Sequence, residues 1–492
     1  MKKMNLLVMS LVSAAALSFT SCSSNDELDG NKADQAKVDQ FYMTLTVETP
    51  NASGTRTIQK NESAATAAES KITSGTFFLM DSKNKIVFHK KFENLEWDKK
   101  GNTQLEIPVE DVIAGEEYKV YFLANADSED PLNSTFSTKA TDDNKFVGDY
   151  ALANKFAMFN ENDKDVDGNS YTVTFKDENK SKTNAAKVNK TIKLERITAR
   201  IDQPTSNVTE IKAYPTDENH KATDYTAEEK KAMDDAVKKV DKIELTSYAI
   251  SNVANATNIM QQWNDTQLVI PSSAKDFKYI QPTDDFGTNT LFKNAVYFNP
   301  IVKEENGKIK DEHKDYVFEN NSSTAATSMY FEYTITLKDK TNADFDDGTF
   351  YRYNNIIYKS FADIYKAYND VKGLFGGKTA DQMKAEVIAA KAAPTAEGEP
   401  TVENKLDEFR KKYQIEVFNC GKTYYKQAIK DQYIGYENAI QRNSIYRLTV
   451  NNIFNVGAQV PNGTPDKEGL FYLDVEVSVN PWVLNTQNVE FK

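Results

Sequence analysis

Cysteine is almost missing from this chain: its 492 residues contain two, Cys22 and Cys420. With one of them consumed near the N-terminus, no intrachain disulfide framework is available, and stability has to come from the size of the core. Histidine is nearly as scarce. His89, His220 and His313 are far apart in sequence, so there is no H-E-x-x-H zinc helix and a histidine-rich metal site is not expected. The sequence also lacks a G-x-S-x-G elbow, a phosphate-binding P-loop and a G-x-G-x-x-G turn. Acids are plentiful, but no pair stands out as a glycosidase couple. The chain is therefore expected not to be an enzyme and to need no cofactor. Positive charge is in deficit: 60 Lys and Arg against 73 Asp and Glu give a formal charge of -13, which argues against nucleic acid as a partner.

Long apolar runs are absent beyond the first twenty residues. The run at positions 6–19 follows Lys2 and Lys3 and, at about 14 residues, is shorter than the roughly 20 a membrane-spanning helix needs. Such an arrangement reads as a removable signal peptide covering 1–21. Thr20 and Ser21 before Cys22 resemble the lipobox of bacterial lipoproteins, although Phe19 replaces the usual Leu or Val. Cys22 is then the acylated first residue, each buried CH₂ contributing about 0.8 kcal/mol to anchoring. Ser23-Ser24-Asn25-Asp26-Glu27 resembles the acidic tether of surface lipoproteins of Bacteroidales.

What is present is β-pattern. Tyr and Phe number 25 and 27 and are interleaved with Thr and Val. In "FYMTLTVETP", Phe41, Met43, Leu45 and Val47 share one parity and Tyr42, Thr44, Thr46 and Glu48 the other, which predicts a half-buried strand. From 50 to 70 the periodicity is lost; this stretch carries Arg56, the one Arg among the first 195 residues. A basic residue in a small-residue loop is an accessible target for an arginine-specific protease. Strand-like runs then recur to the C-terminus, among them "EEYKVYFLANA", "TIKLERITARID", "SMYFEYTITLKD" and "LFYLDVEVSVNPW", and predict antiparallel β-sandwiches. Helical insertions are expected at 226–239, opened by a Thr-x-x-Glu capping box, and near "SFADIYKAYNDVKG" and "TADQMKAEVIAAKAAP". Asp163, Asp165, Asp167 and Gly168 match the start of a calcium loop, but Thr174 stands where its bidentate Glu belongs, so a turn entering a strand is expected. Arg196 and Arg200 are expected at the surface of a core strand, Cys420 as a buried small hydrophobe, and Trp482 either as a cap on the core or in strand exchange.

Together these segments resemble the fimbrilin family of Bacteroidales, the type V pilus subunits, and within it the Mfa-like shaft fimbrilins. The residues that carry the likeness are Cys22, the strand ending in the Arg56 loop, "YKVYFLANA", "IKLERITARID", "VFNCGKTYYKQAI", "YENAIQRNSIYRLTVNNIFNVG" and "VEVSVNPW". The resemblance implies an all-β fold of two transthyretin-like antiparallel β-sandwich domains in tandem with a few inserted helices. A lipidated propeptide (22–56) would precede sandwiches at 57–280 and 281–492, the boundary falling between 270 and 290. It further implies export as an outer-membrane lipoprotein, cleavage between Arg56 and Thr57 by a trypsin-like (gingipain-type) protease, and polymerisation by strand exchange.

In that scheme the strand bearing Phe41, Met43, Leu45 and Val47 leaves, and the C-terminal segment of a neighbour fills its groove, with Val483, Val489 and Phe491 as candidate donor side chains. Asn485 and Gln487 share their parity and weaken that donor assignment. The implied partners are copies of the chain and other fimbrial subunits, the protease, the outer membrane before processing, and host or bacterial surface receptors, in support of adhesion and biofilm formation. Two rival readings stay open: an accessory or tip fimbrilin or monomeric surface adhesin, and a carbohydrate-binding surface protein using an aromatic platform.

Overall fold

The computed structural model describes residues 40–49, 63–97, 102–137, 147–161, 171–214, 225–264, 267–271, 298–304, 313–322, 325–368, 373–396, 399–431, 438–461 and 472–484. The expected signal peptide, Cys22, Arg56, Thr57, Val489, Phe491, the calcium-loop-like run at 163–168 and the expected boundary at 280/281 lie outside these residues.

The fold is all-β with a few helices. The first group of strands comprises β1 (Phe41–Glu48), β3 (Ser74–Met80), β4 (Ile86–Glu93), β5 (Asn102–Val109), β6 (Glu117–Ala124), β7 (Met158–Asn160), β8 (Thr172–Thr174), β9 (Ala186–Lys187) and β10 (Ile192–Arg196). They form one nine-stranded sheet in the order β9-β1-β10-β7-β6-β3-β4, with β5 also on β1 and β8 also on β6. This sheet encloses a core that includes Phe41, Met43, Leu45, Val47, Ile107, Val120 and Phe122.

Between β1 and β3 come β2 (Ser63–Ala65) and the one-turn helix α1 (Ala67–Ser70), in a stretch whose sequence shows no periodicity. Neither belongs to the first sheet. β2 lies at the edge of a six-stranded sheet, β2-β22-β21-β11-β15 with β12 on β21, made with β11 (Ala199–Asp202), β12 (Thr205–Ser206), β15 (Lys314–Val317), β21 (Ser444–Phe454) and β22 (Tyr472–Leu484). A four-stranded sheet, β14-β13-β16-β20, consists of β13 (Val240–Ser251), β14 (Asn299–Pro300), β16 (Ser328–Leu337) and β20 (Lys422–Ala428). Ile201, Leu448 and Val450 from the six-stranded sheet and Leu245, Tyr248, Phe331 and Tyr333 from the four-stranded one share a core.

"TIKLERITARID" reads as a single strand but forms two. β10 ends at Arg196 in the first sheet, and β11 begins at Ala199 in the six-stranded one. The two residues between them are held from different sides: the Ile197 amide donates to the Ala157 carbonyl at 3.1 Å, and the Thr198 carbonyl accepts from the Asn443 amide at 2.8 Å. Alternation cannot register such a crossing, because the residues remain apolar-and-polar while their sheet changes.

"GTFYRYNNIIYK" is likewise a hairpin, β17 (Phe350–Tyr353) with β18 (Ile356–Tyr358), turning through Asn354 and Asn355, both at positive φ (48° and 62°). Two consecutive residues in the left-handed region make the tight turn that suits twisted strands, and Asn tolerates that region. β19 (Glu416–Phe418) completes a three-stranded sheet with them. Helices α3 (Phe361–Ala367), α4 (Ala380–Lys391) and α5 (Val402–Tyr413) supply Phe361, Met383, Val387, Leu406 and Phe409 to the core on this sheet. The helix α2 (Ala227–Val237) carries the expected capping box between Thr226 and Glu229. α4 starts on a similar box between Thr379 and Gln382. α5 was not foreseen from the sequence; it buries Leu406, Phe409 and Tyr413, spaced three and four apart, beneath a charged outer face.

Candidate functional site

β1 is an inserted strand, flanked on both edges. Along one edge it pairs antiparallel with β5 over its whole length, from Phe41 opposite Val109 to Glu48 opposite Asn102. Along the other it runs parallel to β9, with Met43 opposite Ala186, and to β10, with Val47 opposite Ile192. The alternation written in the sequence governs its burial: Phe41, Met43, Leu45 and Val47 are at most 2% exposed, while Tyr42, Thr44, Thr46 and Glu48 are only partly covered. The Phe41 ring meets Phe175 edge-on at 5.6 Å, and Phe175 meets Tyr118 at 5.8 Å. The Lys180 ammonium lies 5.4 Å above the Phe41 ring, closing the outer end of the seat. Withdrawing β1 would thus open a groove between β5 and β9–β10, edged by core residues such as Leu105 and Ile107 of β5 and Leu194 of β10.

The segment that follows is anchored elsewhere. β2 pairs in parallel with the end of β22, Ser63 opposite Trp482, Ala64 opposite Val483 and Ala65 opposite Leu484. α1 then opens on a capping box in which the Thr66 amide donates to Glu69 Oε2 at 2.6 Å and the Glu69 amide donates to Thr66 Oγ1 at 3.3 Å. The same Glu69 carboxylate accepts from Arg200 Nη1 at 3.1 Å on each oxygen and from the Tyr316 hydroxyl at 2.8 Å. Arg200 continues to Asp202 through Nε at 2.7 Å and Nη2 at 3.1 Å, and Arg447 Nε reaches Asp202 at 2.8 Å. Arg196 donates to the Glu69 carbonyl at 2.9 Å, to Ser70 Oγ at 3.2 Å and to Asn443 Oδ1 at 3.2 Å.

Arg196 and Arg200 are therefore not surface residues, as their sequence context suggested; they are 0% and 2% exposed. A buried guanidinium persists only where acceptors surround it, and here those acceptors come from α1, β11 and the Asn443 loop. Burial pulls Arg196 down to about 9, whereas Arg200, also penalised by burial, is held above its ordinary value by Asp202 and Glu69. Burial pushes Glu69 upward, but Arg200, the Thr66 amide and the Tyr316 hydroxyl outweigh it and leave the carboxyl below its usual range. Glu69 was missed at the level of sequence, though "TAAE" at 66–69 carries the same capping-box spacing that identified α2.

Of the other residues singled out, Val483 lies in β22, and Trp482 is its neighbour there. Cys420 is half-buried rather than buried, with its sulfur 3.6 Å from Asp347 Oδ2 and φ at 52°.

Residues 42–196 match the family of the major fimbrial subunit protein (FimA), and residues 416–488 match the C-terminal family of the type IV major fimbrial subunit protein, fimbrillin. The chain thus carries two regions that match fimbrial-subunit families, one towards each end. The FimA match runs from within β1 to the end of β10, the span of the nine-stranded sheet, and the fimbrillin match takes in β19 to β22. These families are structural proteins, and a fimbrial subunit belongs to the cell-surface fimbria.

Among solved structures, a candidate cell adhesion protein from Parabacteroides distasonis is similar at 11% identity and a TM-score of 0.43, over 91% of this chain and 98% of that one. The tip fimbrial protein Mfa3 from Porphyromonas gingivalis, truncated at its C-terminus, is similar at 10% identity and 0.32, over 90% and 100%. The fimbrial anchor protein Mfa2 from the same organism is similar at 8% and 0.27, over 90% and 99%. No curated protein sequence matches this chain significantly.

Proposed function

We propose that this fimbrillin is a shaft subunit, exported as a lipoprotein acylated at Cys22, released by cleavage between Arg56 and Thr57, and polymerised by strand exchange into the seat of β1. The observation that carries the reading is the separate anchoring of the two sides of the cut. β1 belongs to the nine-stranded sheet, while β2, which begins after only fourteen intervening residues (49–62), and α1 just beyond it belong to the six-stranded sheet and the Glu69 network. Cleavage between them would let β1 go without disturbing the residues after it.

Burying Phe41, Met43, Leu45 and Val47 contributes roughly 1.5 to 3 kcal/mol each, so the vacated groove forfeits about 6 to 12 kcal/mol gross until another strand fills it. While covalently attached, β1 competes for that groove at millimolar-range effective concentration; once cut, it competes only at its bulk concentration. A donor from a neighbour would enter by β-augmentation, a head-to-tail contact that extends a filament. The candidate donor is the 483–492 segment with Val483, Val489 and Phe491, of which the first two residues form the end of β22. The change of sheet at Ile197–Thr198 favours placing the division between two domains there. Adhesion and biofilm formation through the assembled fimbria would follow.

The test is to treat the purified, non-lipidated precursor with an arginine-specific protease, sequence the new N-terminus and examine the product by electron microscopy and SDS-resistant ladders. A chain beginning at Thr57 that forms filaments, with Arg56→Ala forming none, is the expected result. A clean cut that leaves only monomers would replace the shaft reading with an accessory or tip fimbrillin, and resistance at Arg56 would remove the processing step.

A further inference from the structure

A cleft of about 480 Å³ lies away from the β1 seat, where the end of α2, the end of β16, β18 and α3 meet. That volume is within the range of small-ligand sites, about 300 to 1,000 Å³. Its charge is opposite to that of the chain. Although the protein carries a net -13, four lysines, Lys238, Lys239, Lys338 and Lys359, line this cleft against two acids, Asp339 and Asp363.

The lysines are not all neutralised. Lys359 pairs with Asp339, and Lys238 with Asp235 at 3.4 Å. Lys239 and Lys338 form no ion pair among the described residues; the Lys239 ammonium donates to the Ile357 carbonyl and stands 5.2 Å from the Tyr358 ring centroid. The wall beneath them is apolar, made by Leu337, Ile357 and Tyr358.

We propose that this cleft binds an acidic sugar residue, a hexuronic or sialic acid unit, with Lys239 and Lys338 taking the carboxylate. Three features select that chemistry over a bare anion. Two ammonium groups that form no ion pair among the described residues supply the charge. An apolar wall is wasted on phosphate but receives the C–H face of a pyranose. Asp339 and Asp363 would repel a polyanion, yet they accept hydrogen bonds from sugar hydroxyls. The site does not depend on strand exchange, since it shares no residue with the β1 seat or the Glu69 network.

The experiment is titration of the full non-lipidated chain, by calorimetry and ligand-observed NMR, with glucuronic acid and N-acetylneuraminic acid, against glucose, inorganic phosphate and a hexaglutamate peptide. At least one acidic sugar is expected to bind near millimolar affinity or better and at least tenfold more tightly than glucose and phosphate. Lys338→Glu and Lys239→Met should each weaken it at least fivefold, whereas Lys182→Glu, in the exposed turn between β8 and β9 and away from the cleft, should not. Lys239 and Lys338 are surface-exposed, so unchanged thermal unfolding will separate lost binding from lost fold. Equal binding of glucose, equal or tighter binding of phosphate or of the peptide, binding indifferent to both cleft variants, or no binding of either acidic sugar would each overturn the proposal.

Discussion

Arg200 Nη1 lies 3.1 Å from both oxygens of Glu69, across 131 residues of sequence, with each side chain only 2% exposed. This contact ties the one-turn helix α1 to β11, the first strand beyond the change of sheet. Removing one partner from a buried pair leaves an uncompensated charge and typically costs about 3 to 5 kcal/mol. Glu69→Ala is accordingly expected to lower the urea midpoint by that equivalent. Because Glu69 also caps α1, limited proteolysis with a protease of low sequence specificity should cut within 63–70 faster in the variant than in the native chain.

The same carboxyl makes stability depend on pH with a definite sign. Its folded pKa lies below the ordinary value of 4.5, so the folded state binds this proton less readily than the unfolded state. The contribution is complete above the unfolded value and fades as the pH falls through the folded one. Urea unfolding followed from pH 7 downward should therefore show a loss of stability beginning near pH 5, and Glu69→Gln should flatten that part of the curve. An unchanged slope in Glu69→Gln would mean that other carboxyls carry the acid response.

The parity of β1 predicts a sharp asymmetry between neighbours. Leu45→Ala removes a buried side chain from the first core and is expected to cost about 2 to 5 kcal/mol, whereas Thr44→Ala, on the partly covered face, should stay within about 0.5 kcal/mol. Paired chemical-denaturation curves would check this. Equal effects at the two positions would mean that β1 is not seated by its apolar face.

Gly421 offers a backbone test. Its φ is +74°, and a Cβ added there would sit 2.3 Å from the Ile335 carbonyl oxygen. Gly421→Ala combines a left-handed backbone, about 1 to 2 kcal/mol, with overpacking, about 1 to 3 kcal/mol. Thermal unfolding should report a loss of roughly 2 to 5 kcal/mol for this one methyl group, which falls where β20 leaves the Cys420 turn. Since β20 pairs with β16 over seven residues, loss of the turn should be felt across the four-stranded sheet.

Much of the fold was legible because the signals are local. β1, β3, β5, β6, β16 and β22 each follow from alternation or β-rich composition, and α2 from its capping box. What escaped is what local pattern does not encode. α5 was overlooked because its apolar residues are sparse among charges, at Leu406, Phe409 and Tyr413. β2 and α1 were overlooked because a three-residue strand and a single helical turn draw their stability from partners far away in the chain. The cleft lysines come from three separate stretches, so no window of sequence contains the site.

The sequence by itself determined that the chain would be rich in strands, which side chains of β1 face inward, and where an arginine stands among small residues, since each depends on residue identity and a period of two. Only the tertiary structure decided that "IKLERITARID" crosses between sheets and that Arg196 and Arg200 lie in the interior. Only it placed the residues on either side of Arg56 in different sheets. Burial of an arginine depends on whether distant acceptors converge on it, and strand membership on which edge is free to pair; both are set by the whole folded chain.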